Sequence, residues 1–117
     1  MSIKDVKNIL LTDIDIRPET IVRQSLFECL KGKPDKWLSN IKKKEPIQYE
    51  QLKELMASMK SGGQIETIGV YQIDVSEELL KEDGREGVYI LVTGLRRFLA
   101  AYFLDWKRIK AAILDIK

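Results

Sequence analysis

The chain has 117 residues, a formal net charge of +2, 44% hydrophobic residues and 32% charged residues. That length suffices for one domain, 1–117, with a real core; the composition excludes a disordered chain, and the net charge is too small to argue nucleic-acid binding by itself. With no histidine and only one cysteine, Ser-His and Cys-His nucleophile pairs, most zinc sites and an internal disulfide are excluded.

Residues 9–16 end in alternation and predict a strand, with Ile14 and Ile16 inward and Asp13 and Asp15 on its outward face. Arg17-Pro18 stops it. Residues 19–30 carry Ile21, Val22, Leu26, Cys29 and Leu30 at helical spacing, and Gly32 ends that helix. Cys29 is expected to be buried and inert. Either Pro34 or Asp35 starts a short second helix through Trp37, Leu38 and Ile41. It finishes in Lys42-Lys43-Lys44, a run that suits the negative end of a helix dipole. Pro46 breaks the chain again.

Residues 48–60 form the clearest amphipathic helix, with Leu52, Leu55, Met56 and Met59 as its stripe and Gly62-Gly63 as its stop. Residues 65–73 read as a strand. Residues 75–87 read as an acidic connection containing a helical turn capped by Ser76. A buried strand at 88–92, a helix to Asp105 and a last strand at 108–116 follow. The order predicts an α+β fold, a small mixed sheet with packed helices. No apolar run reaches the roughly 20 residues that span a bilayer, so no membrane partner is expected. The start, Met1-Ser2-Ile3-Lys4-Asp5, has no signal-peptide core, which points to the cytoplasm.

The most informative stretch is Thr93-Gly94-Leu95-Arg96-Arg97. A glycine sits where a strand turns into a helix, and two arginines occupy the first helical turn. A helix N-terminus carries unpaired N–H groups and a partial positive charge. Arginines there are electrostatically misplaced unless an anion arrives, and phosphate is the natural one. The plainer alternative is a tight turn with two solvated arginines. Residues 31–44 hold six lysines against Asp35 alone. Lys42, Lys43 and Lys44 with Trp37 could pair phosphate charge with base stacking, or simply form a solvated face.

Several segments together resemble the ParB/sulfiredoxin superfamily over most of the chain. They are Ile14-Asp15-Ile16-Arg17-Pro18, the helix at 49–60, Gly63-Gln64-Ile65-Glu66-Thr67-Ile68-Gly69-Val70, Gly94-Leu95-Arg96-Arg97 with Ala100-Ala101, and Leu104-Asp105-Trp106 with Ala111-Ala112-Ile113. ParB proteins write the phosphate motif Gly-Glu-Arg-Arg, and sulfiredoxins write it Gly-Cys-His-Arg.

The resemblance implies a ParB/sulfiredoxin-like fold that binds a nucleotide triphosphate, CTP or ATP, with Mg. Thr93, Gly94, Arg96 and Arg97 would meet the phosphates, Arg23 would add a contact, and residues 63–68 would lie near the base or ribose. The chain also departs from the pattern. The sulfiredoxin cysteine and the ParB glutamate both fall at Leu95, which speaks against sulfinic acid reduction. Glu66 stands where ParB proteins carry glutamine, and it either faces solvent or marks a changed ligand or metal site. Residues 24–47 look like a basic helical insertion.

Three functions follow. The first is a nucleotide- or phosphate-binding module of a plasmid, viral or chromosome-maintenance system, meeting DNA directly or through a partner protein. The second is an enzyme, a DNA nuclease or a kinase of a small molecule such as free serine, with Glu19 and Glu66 as its carboxylates and Asp13 and Asp15 as alternatives. The third is an adaptor that keeps the fold without the ligand. ParB partition proteins add a helix-turn-helix region and a dimerisation tail that these residues do not match, so centromere recognition by this chain alone is not implied. Exposed aromatics such as Trp37 leave room for a homodimer.

Overall fold

The computed structural model describes residues 2–17, 24–64 and 66–115. Its strands are β1 (Ser2–Leu10), β2 (Ile14–Asp15), β3 (Ile68–Ile73), β4 (Val88–Thr93) and β5 (Arg108–Asp115). Its helices are α1 (Gln24–Glu28), α2 (Trp37–Lys44), α3 (Pro46–Gly62), α4 (Glu77–Asp83) and α5 (Leu95–Phe103). The strands form one mixed sheet in the order β1-β5-β3-β4-β2. β1 pairs antiparallel with β5 and β3 antiparallel with β4, whereas β3–β5 and β2–β4 are parallel. The α+β architecture is therefore as expected, with one more strand and one more full helix.

One face of the sheet presents Ile68 and Val70 of β3, Tyr89 and Leu91 of β4, and Ile109, Ala111 and Ile113 of β5. They share a core with Leu52 and Met59 of α3 and with Leu95, Phe98 and Leu99 of α5. Leu26, Cys29 and Ile41 join that core from the basic region at 24–47. Cys29 is 1% exposed, and burial pushes its thiol pKa up, as fits an inert side chain. Pro46 begins α3 rather than breaking the chain, since the first helical position needs no N–H donor. The acidic connection folds into α4, ended by Gly84 in the left-handed region. Ser76 sits at its N-cap without a side-chain hydrogen bond.

The first predicted strand needs correcting. Residues 9–10 finish β1, Leu11–Asp13 form a 3₁₀ turn, and only Ile14–Asp15 continue as β2. β1 and β2 are the two opposite edges of the sheet, yet only the turn separates them. Crossing four strand spacings on a flat sheet would take about 19 Å. The four residue steps from Leu10 to Ile14 reach at most about 14 Å. The sheet must curl until its edges approach at this end. Lys7 of β1 accordingly lies 5.7 Å from the ring of Tyr89 in β4.

Asp13 was expected on an outward face and is instead 1% exposed. Its carbonyl accepts from Arg85 Nη2 at 2.7 Å, and its Oδ2 accepts from the Glu86 N–H at 3.2 Å. Arg85 Nε stands 3.5 Å from Asp13 Oδ1, and its Nη2 stands 3.7 Å from Asp15 Oδ1. The turn that joins the sheet edges is thus held by an arginine 72 positions later. Among the described residues, no helix is long and apolar enough to cross a membrane.

Candidate functional site

β4 ends at Thr93, and Gly94 turns the chain into α5 with φ 89° and ψ 33°. That left-handed conformation suits glycine. A second constraint acts at the same position, because a Cβ there would meet Ile68 Cγ2 at 2.8 Å. The close approach brings the start of α5 against β3. No side chain caps the helix at Gly94. The N-terminal end of α5 therefore keeps its positive partial charge beside Arg96 and Arg97.

A cavity of about 290 Å³ opens at this turn, lined by Gln51, Leu55, Gly94, Leu95, Arg96 and Arg97. Arg96 Nη1 donates to Gln51 Oε1 at 2.5 Å. Arg97 Nη1 donates to the Thr67 carbonyl at 3.3 Å, and its Nη2 pairs with Glu66 Oε2. Gln64 fixes the loop that carries Glu66. Its amide donates to the carbonyls of Glu66 and Lys110 at 2.8 Å each and accepts from the Lys110 N–H at 2.8 Å. One polar side chain thereby ties Gln64 and Glu66 to β5 like an extra rung of sheet.

Gly94, Arg96 and Arg97 are thus brought together as the sequence suggested. Thr93 is a neighbour of a different kind. Its hydroxyl lies where a Cβ on Gly69 would come within 2.7 Å of it, outside the cavity lining. Leu95 is 5% exposed and belongs to the core. Glu66 is 68% exposed and closes on Arg97, which combines the solvent-facing alternative with an ion pair. Glu19 and Arg23 lie outside the described residues. No group of three or more acidic or cysteine side chains gathers as a metal site among the described residues.

Lys42, Lys43 and Lys44 occupy the exposed last turn of α2, whereas Trp37 begins that helix and stands half-buried against Tyr102. Trp37 and the three lysines thus stand at opposite ends of α2. Lys42 instead lies 5.7 Å from the ring of Tyr49, with Lys53 at 5.8 Å from the same ring. Gln51 is the site residue that the sequence reading missed. The available signal was its position four residues before Leu55 on α3, which puts both on one face.

A curled mixed sheet with an arginine-bearing helix springing from a left-handed glycine defines an α+β domain of sulfiredoxin-like fold. The crystal structure of sulfiredoxin from Arabidopsis thaliana is similar over 95% of this chain and 85% of that one, with a TM-score of 0.55. At 17% sequence identity the likeness concerns the fold. The sequence profile of the ParB N-terminal domain matches residues 37–117, and the chain belongs to that family. No curated protein matches the sequence.

Proposed function

We propose that this ParB-like domain binds the phosphates of a nucleotide, CTP or ATP with Mg²⁺, at the Gly94–Arg97 turn, within a DNA-associated maintenance system. The observation that carries the reading is the convergence of Arg96, Arg97 and the start of α5 on one polar cavity. Phosphate oxygens suit this arrangement, because a guanidinium offers paired N–H donors and a helix start offers backbone donors. The Glu66 carboxylate holds Arg97 in place without ligand and is the acidic group paired with it among the described residues, through which Mg²⁺ could bridge to phosphate. Gln51 holds Arg96 from the other side. Family membership supports the nucleotide over a lone phosphate ion as the ligand.

The test is calorimetric titration of CTP, ATP, GTP and a short DNA duplex, each with Mg²⁺, into wild type and Arg97→Ala. Saturable binding of one nucleotide, weakened by the substitution, is the expected result. Arginine-dependent binding of the duplex alone would move the phosphate source to the DNA backbone. No binding to any of them would leave a fold without the ligand.

A further inference from the structure

The parallel ladder between β3 and β5 begins at Ile68 and Ala111. Just before it, the half-buried Gln64 side chain takes both backbone groups of Lys110, donating to its carbonyl and accepting from its N–H at 2.8 Å each. A neighbouring strand would use the same two groups. The second N–H of the Gln64 amide goes to the Glu66 carbonyl, so its hydrogen-bonding capacity serves the backbone at both ends. The two residues that follow the Gln64 anchor among the described residues, Glu66 and Thr67, are the partners of Arg97. The Thr67 carbonyl accepts from Nη1 at 3.3 Å, and the Glu66 carboxylate pairs with Nη2. These partners differ in kind. The carboxylate competes with an incoming phosphate for the arginine's charge, whereas the neutral carbonyl orients the guanidinium and leaves its charge unmatched.

We infer that Gln64 is a positioning residue of the phosphate site: by fastening its loop to Lys110 of β5 it sets the Thr67 carbonyl, which orients Arg97 in the cavity at the start of α5. Its effect on ligand affinity rests on the reading that the Gly94–Arg97 turn binds phosphate. The gain is pre-organisation. A long side chain gives up its rotamer freedom on folding instead of on binding, and a planar guanidinium repays a fixed orientation more than a point charge does. Gln64 and Glu66 thereby act on one arginine with opposite signs, the first favouring the ligand and the second opposing it when no metal is present.

The experiment combines Gln64→Met with Arg97→Ala. Methionine keeps the length of the side chain and removes all three hydrogen bonds. Two quantities are read: the Arg97 Nε–H signal by ¹H–¹⁵N NMR without ligand, assigned with Arg97→Lys, and the affinity for CTP and ATP with Mg²⁺. Gln64→Met should move the Arg97 signal toward that of an unrestrained arginine. It should also weaken binding of the nucleotide that wild type takes by about five-fold. In the Arg97→Ala background the same substitution should change affinity by less than about two-fold, because the residue it acts through is gone. Gln64→Ala should repeat both results without a sulfur in the amide's place. The inference is overturned by an unchanged Arg97 signal, by an equal loss of affinity with and without Arg97, or by a gain of affinity in Gln64→Met, which would make Gln64 a support for the competing carboxylate alone. A wild type that binds neither nucleotide would overturn the phosphate reading instead, and the ligand-free Arg97 signal would still decide whether Gln64 positions that side chain.

Discussion

Arg85 and Arg97 each hold a carboxylate, one at either end of the molecule's chemistry. Asp13 is 1% exposed and the Arg85 side chain 21%, whereas Glu66 is 68% exposed and the Arg97 side chain 32%. Removing one partner of a buried pair strands a charge where water cannot replace it. An exposed pair exchanges its partner for water or another anion at small cost. The same two residue types therefore serve as a clamp on the curled sheet in one place and as an exchangeable arginine in the other.

The comparison is most open to attack at its buried end. Asp13→Ala should cost about 3 kcal/mol of stability in chemical denaturation, by removing the carboxylate beside Arg85 Nε and the acceptor of the Glu86 N–H. Asp13→Asn should cost less, since it still accepts from that N–H. Arg97→Ala should leave stability within about 0.5 kcal/mol. On the proposed reading it weakens nucleotide binding by about 1.5–3 kcal/mol, the size of a charge-assisted hydrogen bond. Equal losses of stability in the Asp13 and Arg97 variants would erase the distinction between the two pairs.

Glu66→Gln sharpens it further. Its stability change should stay within about 0.5 kcal/mol, and nucleotide affinity without Mg²⁺ should rise about two- to five-fold as Arg97 is released. Lower affinity confined to Mg²⁺-containing buffer would identify Glu66 as serving the metal instead.

The smallest effect concerns a third pair, exposed on both sides. The hydrogen bond from Arg108 holds the Glu86 carboxyl below its ordinary pKa of 4.5. Its stabilising contribution is present above that value and fades as the pH falls through the lower folded pKa. Thermal melts from neutral to acid pH should therefore show Glu86→Gln slightly less stable than wild type at neutral pH, with the gap closing below 4.5.

Sequence made the arginine turn visible and hid the clamp for the same physical reason. Thr93 to Arg97 are adjacent, and their strand, glycine and helix are each announced by local patterning. Amphipathic α3 was legible on the same grounds. Asp13 and Arg85 meet across 72 positions, and Gln51 meets Arg96 across 45, distances over which no local periodicity speaks. Residues 2–8 of β1 were missed because all seven are exposed, so inward–outward alternation never develops there. Asp13 was misplaced because its strand was read as continuous, and the 3₁₀ turn that rotates it inward is set by the closing sheet.

The strand order has a consequence for how the chain is made. β5 lies between β1 and β3, and its Arg108 and Asp115 pair with Leu10 and Ser2. During vectorial synthesis β1 leaves the ribosome long before β5, its one neighbour among the described residues, exists. The sheet cannot assemble in instalments, and a nascent chain stopped ahead of Arg108 would hold β1 as an unpaired ribbon beside a strand-wide gap. The lysines at 4 and 7 and the irregular register between Ile3 and Asp5 are features that discourage foreign strands from docking on such an edge. They guard the waiting strand as well as the finished one.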